Sequence, residues 1–417
     1  MFNTEQLQEK WSDVLDHKDC APINDSYRRA VVSQLLENQQ IACNEQRGIE
    51  GGMISENNVT TANVKNYDPV LISLVRRAMP NIIAYDIAGV QPLKQPTGLI
   101  FAMKSLYKAP AGYAPAYEIE ALHNKPDTAF AGNGVDNAMT TAKAEALSGG
   151  RTTPTSDSGF GEMGFEIVKT SVEAKSKALR ATYTTELAQD LKAVHGLDAE
   201  SELANILSTE IMAEMNREII VGVNDAAKTG GNAGNFSLLT GGDADGRWSV
   251  EKYKTLLFAV MKESNAIALE TRRGKGNFVI CSSNVASAFS AIGVLDNTTA
   301  LAAMNVDPTG NLFAGTLPGG IKVFIDPFAS GDYVTVGYRG SNVYDAGVFY
   351  CPYVPLTMMR AVGEDTFQPR IGFKTRYGIR ANPFVDVTFG TNPTNGDERF
   401  GGSGANQYFR NFTVTGI

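Results

Sequence analysis

Phe367-Gln-Pro-Arg-Ile-Gly-Phe-Lys-Thr-Arg-Tyr-Gly-Ile379, continuing through Arg380 and Ala381 to Asn382-Pro-Phe384, is dense in aromatics, glycines and cations. It holds no nucleophile set beside a base, no pair of metal ligands and no phosphate-binding loop. Two physical readings compete for it. Cations beside aromatics suit stacking on single-stranded nucleic acid, and the same residue types are enriched where proteins meet proteins. Its compactness and glycine spacing favour a subunit contact made by Arg370, Phe373, Lys374, Arg376, Tyr377 and Arg380.

The rest of the chain agrees with a structural rather than a chemical role. It has 417 residues, 43% hydrophobic and 20% charged, enough for one large core or two to three linked ones. The 41 glycines favour turns and close backbone approaches over a helical bundle. Of the net charge of -8, residues 1–56 carry most, with ten acids against five bases. The remainder is nearly neutral, which fits a wall around DNA and equally fits many cytosolic enzymes, so charge alone does not discriminate. Four cysteines (Cys20, Cys43, Cys281 and Cys351) lie far apart, without the short spacings of zinc or redox sites. The opening MFNTEQLQEKWSD has no secretory pattern, and no apolar run reaches the roughly 20 residues that span a bilayer. Synthesis in a reducing cytoplasm is expected.

The first 50 residues predict two short amphipathic helices, one with Leu7, Trp11, Val14 and Leu15 on a face, one with Tyr27, Ala30, Val31, Leu35 and Leu36. Each is too short to be stable alone and needs a partner surface. A linker is expected from Gly48-Ile-Glu-Gly-Gly52 into the polar stretch Asn57 to Asn63. A helical pattern then opens at Asp68-Pro69 and carries Arg76 and Arg77 near its end; a strand is expected over Gly98 to Leu106. Tyr107 to Gly164 has few large apolar residues and reads as an extended loop.

Thr184 or Thr185 to His195 predicts a helix stopped by Gly196, and Asp198 caps a longer one whose stripe is Leu203, Leu207, Ile211, Met215 and Ile219. Another helix is expected from Ser249 to about Glu270. Strands are expected at Phe278 to Cys281, Ile321 to Ile325, Tyr333 to Tyr338, Val348 to Tyr350, Phe384 to Phe389 and Tyr408 to Val414. The fold class is α+β.

Candidate chemistry fails on spacing. His17, His123 and His195 lack a nearby nucleophile or orienting group, and the end of a helix is explanation enough for His195. Asp243-Ala-Asp245-Gly246 has a calcium-loop flavour, but Lys252 stands where the bidentate Glu is required. Thr271-Arg-Arg-Gly-Lys-Gly-Asn277 lacks the phosphate-loop spacing. No enzyme activity, catalytic residue, metal or cofactor is expected.

The opening stretch closely resembles a C-terminal segment of the major capsid proteins of T-even type tailed phages. Further segments resemble that family in the same order: Val75-Arg-Arg-Ala-Met-Pro-Asn-Ile-Ile-Ala-Tyr-Asp-Ile-Ala-Gly-Val-Gln-Pro92, Glu186-Leu-Ala-Gln-Asp-Leu-Lys-Ala-Val-His-Gly196, Gly274-Lys-Gly-Asn-Phe278 and Thr335-Val-Gly-Tyr338. With Glu162-Met-Gly-Phe165, Glu173-Ala-Lys-Ser176, Thr209-Glu-Ile211, Asn216-Arg-Glu218, Phe313-Ala-Gly315 and Asp345-Ala-Gly347, the resemblance runs through most of the span 67–417. The resemblance implies the Hong Kong 97-type capsid fold, with a spine helix at about Asp198 to Val221 and the extended loop already marked. The family's type members carry an insertion domain near that loop, for which this chain has too few residues.

The implied organisation is a prosegment over 1–56, an N-terminal arm over 57–106, the extended loop over 107–168, a peripheral domain over 169–224, an axial domain over 225–345 and return strands over 346–417. The implied function is self-assembly as hexamers into the head shell of a tailed phage, enclosing double-stranded DNA without sequence-specific binding. Vertex, portal, scaffold, prohead protease and decoration proteins are the implied partners, and the virion capsid is the implied location. The pentameric vertex paralogue is the nearer alternative; a soluble hydrolase is the distant one. The family is cut by its protease after Glu in an [Ile/Leu]-x-Glu motif, which Ile54-Ser55-Glu56 matches at the expected linker, with further matches at Leu7-Gln8-Glu9 and Leu35-Leu36-Glu37. Arg76 and Arg77 join the expected subunit contacts.

Overall fold

The computed structural model describes residues 4–16, 23, 25–50, 79, 82–108, 121, 130–131, 138–145, 162–231, 234–239, 248–293, 295, 312–342, 344–362, 368–382 and 406–417. In chain order its helices are α1 (Thr4–Lys10), α2 (Ser12–Leu15), α3 (Ser26–Glu50), α4 (Ala84–Ile87), α5 (Thr141–Glu145), α6 (Thr185–His195), α7 (Ala199–Ala226), α8 (Ser249–Thr271) and α9 (Ser283–Ala291). Its strands are β1 (Gly89–Val90), β2 (Thr97–Lys108), β3 (Glu162–Glu173), β4 (Lys175–Thr182), β5 (Ala227–Thr229), β6 (Asn235–Ser237), β7 (Phe278–Ser282), β8 (Leu312–Leu317), β9 (Ile321–Asp326), β10 (Tyr333–Gly337), β11 (Val348–Val362), β12 (Pro369–Ala381) and β13 (Asn406–Thr415).

The α6–α7 hairpin forms where its caps dictate. The Thr184 hydroxyl accepts from Leu187 N at 3.2 Å, and Gly196 ends α6 in the left-handed region at φ 66. Asp198 then accepts from Glu200 N at 3.4 Å and starts α7. At 28 residues, α7 is a rod of about 40 Å. It runs five residues beyond the expected Val221, because Val223 and Ala226 remain buried and continue its packed face.

Two sheets share that rod. One has the order β1-β11-β12-β4 and the other the order β5-β13-β10-β7-β9-β8, with β6 beside β13. Met215 Sδ accepts from Tyr350 Oη at 3.7 Å on the first sheet. Arg217 pairs with Asp326 at 2.5 Å, and Asn224 accepts from Thr335 at 2.6 Å, on the second. Asp326 is fully buried and is also bonded by Tyr333 Oη at 2.7 Å and by Phe328 N at 3.0 Å, so its charge is held by three donors.

The second sheet is buried on both faces, as its alternation shows. Phe278, Ile280, Tyr333 and Phe409 pack in the cluster that contains Ile219 and Val223 of α7. Val279, Cys281, Val334, Val336, Phe412 and Val414 face the other way, against Leu256, Val260 and Ile267 of α8 and Phe289 of α9.

The front of the chain departs from expectation. The second of the two expected helices is α3, which is 25 residues long and passes through Gly48, where a linker was expected to begin. The partner surface that it needs is its own chain: Trp11, Leu15, Val31, Val32, Leu35 and Leu36 are at most 2% exposed and belong to the main core. Other differences lie in strands. β11 extends twelve residues past the expected Tyr350, β3 closes the segment read as a loop, and β4, β8, β12 and α9 were not anticipated as elements. The expected strand Phe384 to Phe389, the helix from Asp68-Pro69 and the calcium-like turn at Asp243 to Gly246 lie outside the described residues.

Candidate assembly surface

The cation-aromatic stretch is strand β12, and its pleat divides it. Ile371, Phe373, Thr375 and Tyr377 are all at most 4% exposed and point into the core shared with α7. Arg370, Lys374 and Arg376 alternate with them at intermediate exposure, and Arg380 is exposed. Phe373 and Tyr377 therefore spend their rings inside the subunit, and the outer face of the strand offers cations. The Arg376 guanidinium lies over the Tyr353 ring, 5.2 Å from its centroid. Gly378 permits a crossing: a Cβ there would stand 2.6 Å from Val172 Cγ1 and 2.8 Å from the Glu173 carbonyl of β3.

Tyr377 is tied to α7. Its hydroxyl donates to Glu218 Oε2 at 2.5 Å, its ring lies 5.6 Å from that of Tyr350, and Lys177 of β4 reaches both Glu218 (2.6 Å) and Glu214 (3.0 Å). Burial pushes the Tyr377 phenol far up, and the Glu218 charge and hydrogen bond add to this. For Lys177 burial acts downward, but the bonds and charges of Glu218 and Glu214 outweigh it and the net direction is up. The cluster works as a fastener between helix and sheet.

A second surface was not singled out from the sequence. β2 and β3 pair along all twelve residues of each as an isolated two-stranded ribbon. The register sets Leu99 opposite Ser171, Phe101 opposite Lys169 and Phe165 opposite Ser105, which puts Leu99, Phe101, Met163, Phe165 and Ile167 on one face. These five are 44–71% exposed. The signal was present as alternation in Met163-Gly-Phe-Glu-Ile167, masked by the poverty in apolar residues of the segment before it.

Ile54, Ser55, Glu56, Arg76 and Arg77 lie outside the described residues. Cys281 and Cys351 are buried thiols, each pushed up to about 12 by burial, with the Asp326 charge contributing at Cys281. Among the described residues no three His, Cys, Asp or Glu side chains gather closely enough to hold a metal ion.

Comparison with known proteins gives the surfaces their context. The major capsid protein of Serratia phage KSP90 is 40% identical over 94% of this chain and 93% of its own length. That of Vibrio phage KVP40 is 36% identical over 99% of this chain and all of its own. The latter alignment runs to 517 positions, so about 100 of them face no residue of this 417-residue chain. The capsid vertex protein of Enterobacteria phage T4 is more distant, at 26% identity over 78% of the chain. Among solved structures, the capsid of Myoviridae phage XM1 covers 80% of this chain and 92% of its own at 10% identity and a TM-score of 0.40. A family model described as major capsid protein Gp23 matches residues 64–143 and 132–414. By that match and by end-to-end relatives above 30% identity, the chain belongs to the Gp23 family of major capsid proteins.

Proposed function

We propose that this chain is the hexamer-forming subunit of a tailed-phage head shell, built on the Hong Kong 97-type plan and enclosing double-stranded DNA. Its family is one of structural capsid proteins, not enzymes. The geometry that carries the finer reading is the β2–β3 ribbon. A two-stranded ribbon is marginal by itself, and five large apolar side chains on one exposed face demand a cover. In a shell that cover is the neighbouring subunit, whose contacts repeat around a ring and close with curvature. The Arg370, Lys374, Arg376 and Arg380 row is the second contact assigned to neighbours, with Arg76 and Arg77.

The domain division follows the same plan: prosegment 1–56, arm 57–106, extended loop 107–168, peripheral domain 169–224, axial domain 225–345 and return strands 346–417. Supporting the last, β11 returns to pair with β1 and β12 with β4, and β13 returns to the sheet of β5 to β10. A prohead protease cuts after Glu56 during maturation in the host cytoplasm. Vertex, portal, scaffold and decoration proteins complete the particle.

Phe101→Glu combined with Phe165→Glu tests the assembly surface. The expected result is a subunit of normal circular dichroism and elution volume that yields no shells by electron microscopy; normal shell yields overturn the assignment. For the cut, virion protein is expected to begin at Asn57, and an intact mass retaining earlier residues refutes it.

A further inference from the structure

β11 is fifteen residues long, but the strand on one of its sides is short: β1 pairs with Phe349 and Tyr350, and two further bonds follow, Gln91 N to the Tyr350 carbonyl and Leu93 N to the Pro352 carbonyl, each at 2.9 Å. Past that point the edge meets helix α3 instead. Asn38 Nδ2 donates to the Tyr353 carbonyl at 2.9 Å and to the Leu93 carbonyl at 2.8 Å. Gln39 Oε1 accepts from Leu356 N at 3.4 Å. Two successive carboxamides thus meet one acceptor and one donor of the strand, at the place where the β11–β12 register shifts. Gln34 Nε2 bonds Asn38 Oδ1 at 3.0 Å and fixes the orientation of that amide.

An added strand would fit this edge poorly, since Pro352 and Pro355 offer no N–H. A helix carrying amide side chains fits it, and this explains why Asn38 (6% exposed) and Gln39 (0%) sit on a buried helix face. Apolar burial and charge complete the seat. Val31, Val32, Leu35 and Leu36 are buried, Arg28 pairs with Asp86 at 2.9 Å and stacks over Tyr85, and Tyr27 donates to the Val90 carbonyl. α1 and α2 close the far side of α3, through Lys10 to Glu37 at 2.7 Å and Arg29 to Asp16 at 2.6 Å.

We propose that the front segment, through residues 4–16 and 25–42, is a self-sufficient ligand of the subunit body, held by the β11 edge and its flanking core, and that this ligand stays bound after the chain is cut. Release of the segment, rather than the cut itself, is then the event that changes the subunit surface. The proposal deepens the maturation reading above and rests on it for its biological setting; the binding itself does not depend on which bond the natural protease cuts.

The test uses the full chain with a site-specific protease sequence inserted after Gly52. The protein is cut, then analysed by size exclusion and native mass spectrometry at about 1 μM, a concentration at which only ligands of sub-micromolar dissociation constant are retained. The expected result is a one-to-one complex of front segment and body. Asn38→Ala with Gln39→Ala is expected to weaken retention by about 10- to 100-fold, from the loss of the side-chain partners of the Tyr353 and Leu93 carbonyls and the Leu356 N–H. In the uncut double variant, hydrogen exchange is expected to accelerate at Leu356 while β7 and β10 keep their protection, which separates loss of the seat from misfolding. Separate elution of the front segment from a folded wild-type body overturns the proposal, as does unchanged retention in the double variant. Failure of the natural cut would show instead at the virion N-terminus.

Discussion

Leu35→Ala decides whether the front of this chain is core or appendage. Leu35 is fully buried in the middle of α3, within the main cluster. Truncation removes three carbons, about 2.4 kcal/mol of transfer at ~0.8 kcal/mol each, and the cavity left between helix and sheet raises the cost to about 3–4 kcal/mol. The chain supplies its own probe, since it has two tryptophans, Trp11 buried at 2% and Trp248 exposed at 85%. In a Trp248→Phe background the emission of Trp11 reports docking of the front helices. With a urea m-value of roughly 3 kcal/mol/M, Leu35→Ala is expected to lower the Trp11 midpoint by about 1 M. Ile41→Ala, on the same helix but 48% exposed, is the control and is expected to cost less than about 0.5 kcal/mol. Equal midpoints for the two variants, or red-shifted Trp11 emission in the native uncut chain, would refute the reasoning.

Two other outcomes follow from the geometry. Arg376→Ala is expected to leave the urea midpoint within about 0.5 kcal/mol of wild type and to reduce shell yield, whereas Tyr377→Ala is expected to cost about 3–5 kcal/mol because it empties a core site, and so reports on folding rather than on contact. The Cys281 and Cys351 thiols, raised from 9.0 to about 12, are protonated in the fold; their contribution to stability is complete below pH 9 and is lost as pH rises toward 12, so Cys281→Ala is expected to flatten the fall of the urea midpoint across that window.

Legibility in the sequence tracked how local the cause was. α6 and α7 were readable with their caps because Thr184, Gly196 and Asp198 act on backbone groups within a few residues. Of the second sheet, β7, β9, β10 and β13 were readable because each is a short apolar run closed by Gly, Pro, Asn or Asp, whereas β5, β6 and β8 were not. β4 was not, since Lys175-Ser-Lys-Ala-Leu-Arg-Ala-Thr182 is largely open to solvent and carries no core signal. β12 reads by composition as a patch, because its aromatics and cations crowd together, although Ile371, Phe373, Thr375 and Tyr377 alternate with Arg370, Gly372, Lys374 and Arg376 at a period of two. The length of α3 was obscured by its buried polar residues: Ser33 bonds Ala30 and Gln34 bonds Asn38 within the helix, but Asn38 and Gln39 meet a strand edge more than 300 positions away.

That long reach bears on how a capsid subunit can be both stable before assembly and changeable after it. A prosegment fastened only by surface charge would be lost to salt and dilution. One fused irreversibly into the core could not leave without unfolding the subunit. The observed seat lies between these limits: apolar burial at Val31 to Leu36 supplies the strength, and Asn38 and Gln39 supply the register, so the contact is made of parts that separate as a unit. α7 shares its cluster with α3, but the other face of the seven-stranded sheet, packed on α8 and α9, forms a separate cluster, and the proposed dissociation of the front leaves that cluster untouched. If so, amides of β7 and β10 retain global protection in the cut complex after the front segment is competed away, while those of β11 around Tyr353 to Leu356 lose it; uniform loss across both sheets would mean that the front is integral to the fold.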